Sequence, residues 1–169
     1  IQSSPGQGIV PHNTHFFNDY IVTSYYADGV TIHDVKDPEN IVKVGQYDTY
    51  PGTSTSTIGC WGAYPYLPSG ILLASDIENG LFILQPNDVE AARMSGIVRN
   101  SVTNEVIQGV AISLPQENVQ RSTDIAGVYK VGIAASVNRT VNFFKYGYEP
   151  FSGNFAFQQG ITIPFNLAL

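Results

Sequence analysis

Three histidines, one cysteine and a group of aromatic residues are the side chains of this sequence whose types and spacing could do chemistry. His12 and His15 stand three apart, with His33 and Asp34 further along, donors of the kind a metal ion accepts. Along an extended strand, however, positions i and i+3 point to opposite faces, and no second Cys or His cluster completes four ligands. The favoured reading is structural hydrogen bonding, with no metal or other cofactor expected. Cys60 and a histidine would make a nucleophile and a base, but Cys60 is flanked by Gly59, Trp61 and Gly62 and reads as a small core residue. No serine lies in a G-x-S-x-G context. No catalytic residue is expected, and the chain does not read as an enzyme. Asp28, Asp34, Asp37, Glu39 and Asp48 offer oxygen ligands for calcium without Asp-x-Asp-x-Asp spacing, so solvated turns explain them more simply. Asn138-Arg139-Thr140 has the form of a glycosylation acceptor, a pattern short enough to arise by chance.

The aromatic residues offer a different chemistry. Tyr25, Tyr26, Trp61, Tyr64 and Tyr66 could stack on sugar rings or build an interface, because each ring combines a large contact area with a polar handle. Packing inside a β core is the commoner fate of such residues. Together with His12, His15 and His33 they are the candidate binding residues.

The elements that must position these residues are read from the whole chain. Its 169 residues carry a net charge of −6, and only 13% are charged, against roughly a quarter in ordinary globular proteins. The acidic balance argues against nucleic acid as a partner, since that affinity rests on Lys and Arg displacing counterions. No apolar run approaches the roughly 20 residues of a membrane-spanning helix. A single cysteine excludes an internal disulfide framework, which suits a reducing cytosol or a bacterial exterior. The start at Ile1-Gln2-Ser3-Ser4-Pro5-Gly6, with neither Met nor signal peptide, leads us to expect further sequence upstream.

Composition changes along the chain. Residues 1–92 hold two basic and ten acidic residues, whereas residues 93–169 hold six and four. Seven of the ten tyrosines and all three histidines fall in the first part, so a boundary near residue 90 is expected. The stretch 87–93, Asn-Asp-Val-Glu-Ala-Ala-Arg, has a capping residue, an early acid and a late base, and predicts one or two helical turns linking modules 1–86 and 94–169.

Elsewhere short β-branched and aromatic runs alternate with Gly, Pro, Asn and Asp, which predicts an all-β chain. Residues 161–169 place Ile161, Ile163, Phe165, Leu167 and Leu169 on one face, and Pro164 in the run predicts an edge strand. A shift of 51 positions superposes Ile21-Val22-Thr23-Ser24 on Leu72-Leu73-Ala74-Ser75, and Asp28-Gly29-Val30-Thr31-Ile32 on Asn79-Gly80-Leu81-Phe82-Ile83. Each copy reads strand, tight Gly turn, strand, and a period of this length suggests propeller blades. Ile41 to Tyr47 makes a further strand after the polar turn 34–40.

At these residues the first half resembles the LVIVD-repeat β-propellers, specifically the secreted bacterial choice-of-anchor B proteins. The matching segments are 11–15 (Pro-His-Asn-Thr-His), 25–30 (Tyr-Tyr-Ala-Asp-Gly-Val), 33–40 (His-Asp-Val-Lys-Asp-Pro-Glu-Asn) and 60–70 (Cys-Trp-Gly-Ala-Tyr-Pro-Tyr-Leu-Pro-Ser-Gly). A propeller closes with about 4 to 8 blades, each covering its neighbour, so the resemblance implies that 1–86 are the last one or two blades of a longer propeller. The remaining blades, or another chain, are then expected to complete the module. Residues 94–169 carry seven short runs that predict a small β-sandwich, with Tyr129, Val131 and Ile133 on an inner face. This half resembles the carboxypeptidase-regulatory-like domain, a transthyretin-like sandwich, on 95–98 (Ser-Gly-Ile-Val), 106–112, 122–129 and 143–150, although Val106 and Gln108 depart from its usual pattern.

These resemblances imply a non-catalytic, secreted or cell-surface bacterial protein. Its propeller would present a binding surface to protein or glycan and its sandwich would act as spacer or docking module, with type IX export of Bacteroidetes implied. The alternative is the accessory C-terminal part of an extracellular hydrolase whose catalytic residues lie outside this chain. A structural subunit completed by strand addition from a partner is a third reading.

Overall fold

A computed structural model describes residues 9–52, 57–87 and 89–169. The segment Ile1–Gly6 and Asp88 of the expected linker lie outside the described residues. The protein is all-β: four sheets of three or four strands, with no α-helix among the described residues and one short 3-10 turn at Pro115–Glu117. No helix there is long and apolar enough to cross a membrane. The chain divides into two compact units between Val89 and Glu90.

In the first unit β1 (Asn13–Phe17), β2 (Tyr20–Ser24), β3 (Val30–Asp34) and β4 (Val42–Tyr47) form an antiparallel meander in chain order. β5 (Cys60–Tyr64), β6 (Leu72–Asp76) and β7 (Gly80–Leu84) form a second, three-stranded one. The turn between β1 and β2 is two residues long, with Asn18 at φ 48° and Asp19 at φ 63°, the left-handed pair that matches the twist of a hairpin. The hairpins β2–β3 and β6–β7 are the two copies of the 51-residue repeat. In each, a glycine with positive φ, Gly29 or Gly80, enters the second strand. A Cβ on Gly29 would also run into the Tyr47 carbonyl, so no other residue fits.

Alternation decides which side chains meet. Val22, Val30 and Ile32 of the first sheet pack on Ala63, Leu72, Ala74 and Phe82 of the second, with Cys60 in the same core. Each fully buried Val or Leu contributes about 1.5–3 kcal/mol. The 51-residue repeat carries Val22, Val30 and Ile32 to Leu73, Leu81 and Ile83, on the opposite face of the second sheet. There Leu81 and Ile83 are 63% and 67% exposed. The face that is covered in the first copy is open in the second.

The second unit contains β8 (Ala92–Arg99), β9 (Ala111–Leu114), β10 (Val119–Ser122), β11 (Val128–Ile133), β12 (Val137–Phe144), β13 (Phe151–Phe157), β14 (Thr162–Pro164) and β15 (Leu167–Ala168). One sheet has the order β10-β9-β12-β13 and the other β11-β8-β14, with β15 also on β8. Between them lies one core in which Met94, Val98, Tyr129, Val131 and Ile133 meet Ile112, Leu114, Val141, Phe143 and Phe157. Phe143 stands edge-on to Tyr129 at 5.1 Å, and the Tyr129 hydroxyl donates to the Phe165 carbonyl at 2.8 Å.

No helix forms among the described residues of the expected linker 87–93. Ala92 and Arg93 belong to β8, held between β11 and β14, and Ala91 to Met94 are buried. A seven-residue helix is marginal in isolation, whereas here Ala92 pairs with Ile133 of β11, and Arg93 pairs with Gly132 of β11 and Thr162 of β14. The last run also differs from expectation by breaking in two at Phe165 and Asn166. Gly96 of β8 lies directly against the Phe165 carbonyl, and the Asn166 side chain accepts from the Ile97 N–H at 2.9 Å in place of backbone.

Candidate functional site

Of the candidate residues, His12 and His15 lie at and on β1, Tyr25 and Tyr26 follow β2, His33 is on β3, Trp61 and Tyr64 are on β5, and Tyr66 is in the loop after it. His12, just before β1, donates through its ring Nδ1 to the Trp61 carbonyl at 2.6 Å, an acceptor it shares with the Ser24 hydroxyl at 2.8 Å. Its ring meets Trp61 at 4.9 Å and Tyr26 at 5.2 Å, both edge-on. Trp61 is the extra residue of a bulge between Cys60 and Gly62 opposite β6. A bulge re-aims a side chain, and Trp61 is turned to the surface while Cys60 and Ala63 point inward.

A second group forms around Tyr66. Its ring meets His15 and Phe17, each at 5.6 Å, and Tyr64 at 5.4 Å. Its hydroxyl donates to the Phe16 carbonyl at 3.2 Å. His15 and Phe17 share one face of β1 because they are two residues apart. Tyr66 reaches them because the β5–β6 connection is a longer loop with Pro65, Pro68 and Gly70, where the first copy has only Asn18-Asp19. Trp61, Tyr64 and Tyr66 remain 52%, 48% and 41% exposed. The arrangement is a surface of fixed rings rimmed by two imidazoles and backbone carbonyls, suited to stacking and hydrogen bonding.

Two candidates stand apart from it. Tyr25 is buried at 1% exposure with Ile9 and Ala27, so it cannot meet a ligand. His33 is buried on β3, where it neighbours Ile21 and Lys43 across the strands. Burial, and then the charge of Lys43, push its imidazole down to about 4. The three histidines therefore occupy three different environments, and among the described residues no three His, Cys, Asp or Glu come together as a metal would require. Burial first, then the Asp76 carboxylate, push the Cys60 thiol up to about 11, opposite to what a nucleophile needs. Asp34, Asp37 and Asp48 each accept from a backbone N–H two residues on, the Asx-turn role of such residues.

Phe17 belongs to the ring cluster, although the sequence alone does not single it out. Its only signal is the spacing of two from His15, which becomes informative once β1 is known to be a strand. Compared with known proteins, the chain matches no family model and no curated protein.

Proposed function

We propose that this is a non-catalytic binding protein of the bacterial exterior that recognises protein or glycan at a cell surface through the rings on β1 and β5. The observation that carries the reading is the exposure of Trp61, Tyr64 and Tyr66 while the Trp61 ring is held by His12, the Tyr66 ring and hydroxyl by His15 and the Phe16 carbonyl, and the Tyr64 ring by Tyr66. Rings fixed in this way lose little freedom on binding, and aromatic anchors dominate recognition surfaces.

The first unit is read as terminal blades of an LVIVD-type β-propeller. In support, its two meanders are copies of one repeat, and the covered face of the first copy is open in the second, as in a slice of a ring. The second unit is read as a carboxypeptidase-regulatory-like sandwich serving as spacer or docking module, supported by its two sheets around one core. Secretion, with type IX export, comes from the resemblances described above.

The test is a screen of bacterial surface polysaccharides and glycoproteins on an array, followed by titration of the strongest ligand. Trp61→Ala and Tyr64→Ala are each expected to weaken binding at least about tenfold, the scale of an aromatic hot spot. The melting temperature should stay near that of the parent protein. Binding that survives both substitutions unchanged would overturn the reading.

A further inference from the structure

A groove of about 980 Å³ runs between the two sheets of the first unit. One wall is the first sheet at Ile32, Val44 and Gly45, the other is β7 at Ile83 and Leu84, and among the described residues no charged one lines it. Among the described residues β7 is the outer strand of its sheet. Natural sheets blunt such edges with charge, proline or a bulge. β4 has Lys43 and a register shift opposite it, and β14 has Pro164, whereas Gly80-Leu81-Phe82-Ile83-Leu84 has none of the three, a property it shares with the outer strands β1 and β13, so it is the groove beside it that sets β7 apart.

The internal repeat shows what such an edge holds when it is filled. In the first copy β3 pairs antiparallel with β4. Moving β4 forward by 51 residues gives positions 93–98, which lie inside β8 and belong to the second unit. Among the described residues the second copy thus has no strand of its own for the place that β4 holds in the first. The same absence leaves the groove: β2 and β3 are covered by the second sheet, whose coverage stops at β7 before reaching Val44 and Gly45.

We propose that the β7 edge takes up an extended, uncharged strand of another polypeptide, antiparallel to Gly80–Leu84, which fills this groove against Ile32 and Val44. The occupant is a strand because an open edge offers a row of backbone N–H and C=O groups that only another backbone can satisfy in series. It is uncharged because the groove holds no countercharge, and an unpaired charge there would be costly to desolvate. The packing it would make continues the existing contact between the two sheets. The proposal rests on reading the first unit as an incomplete set of repeats, and it is separate from the aromatic surface.

The test uses the full chain and a synthetic peptide of the β4 sequence, Ile41 to Tyr47, with Lys43→Thr. Calorimetry should show saturable binding, and amide exchange should slow along Gly80–Leu84. Val44→Lys and Leu84→Lys in the protein should each weaken binding at least tenfold. A peptide that also carries V44P, which lacks a backbone donor, should bind at least tenfold more weakly to the unaltered protein. The proposal is overturned if the peptide does not bind, if it binds without protecting β7, or if the proline peptide binds equally well. Dimerisation of the chain through β7 would overturn it too, by assigning the edge to a second copy. Failure here with Trp61-dependent binding intact removes this proposal alone; loss of the Trp61 dependence with peptide binding intact removes only the aromatic reading.

Discussion

His33 lies in the interior of the first unit as a neutral imidazole, lowered to about 4 from an ordinary value of 6.5. The unfolded chain therefore takes up a proton below pH 6.5 that the folded chain refuses until about pH 4. Stability contributed by this residue is present above pH 6.5 and is lost as pH falls towards 4. Each tenfold loss of proton affinity is worth about 1.4 kcal/mol, so about 3 kcal/mol should disappear across that window. Urea unfolding at pH 7.5 and pH 4.5 measures it. His33→Gln should flatten the difference, because the variant has no imidazole for the unfolded chain to protonate; an equal acid loss in both proteins would refute the assignment. The same residue shows the limit of reading types alone. A histidine in a polar-looking run with Asp34 suggests a ligand, and only its neighbours Ile21 and Lys43 across the sheet reveal a buried structural role.

Strands were the most legible elements, because alternation of apolar and polar residues is written at a spacing of two. Residues 128–133 and 161–169 present the faces their pattern predicts, apart from Ile161, which is exposed. The hairpins of the repeat were legible through their Gly turns. Less was visible where pairing overrides local preference. The stretch 87–93 reads as helix to its immediate neighbours, yet Arg93 donates its N–H to the Ile161 carbonyl at 2.9 Å, a residue far along the chain. Gly96 makes the same point with a number attached. A methyl group there would strike the Phe165 carbonyl, so Gly96→Ala is expected to destabilise the second unit by about 2–3 kcal/mol, as overpacking does. Chemical denaturation followed by circular dichroism tests this, and a loss below about 0.5 kcal/mol would show that β14 and β15 can move aside at little cost.

The two units differ as wholes in how well each closes its own core. The second buries Met94, Tyr129, Ile112 and Phe143 completely or nearly so between two sheets. The first buries fewer large side chains and leaves Leu81 and Ile83 uncovered. Unfolding is therefore expected in two steps, the first unit preceding the second. Trp61 is the only tryptophan and lies in the first unit, so its fluorescence reports that step. The fluorescence midpoint should fall at lower urea than the later circular-dichroism transition, and the fragment 90–169 should reproduce the later one. A single coincident transition would contradict unequal cores.

Composition, periodicity and turn residues by themselves determined that this chain is all-β and that its first part repeats a hairpin. Those properties depend on residues within a few positions of one another. Only the tertiary structure decided that Trp61 meets His12, that Tyr66 reaches Phe17 while Tyr25 is sealed inside, and that β7 is outermost among the described strands of its sheet. Each of those outcomes joins residues many positions apart, and burial is a property of what covers a side chain, which its own neighbourhood in sequence does not encode.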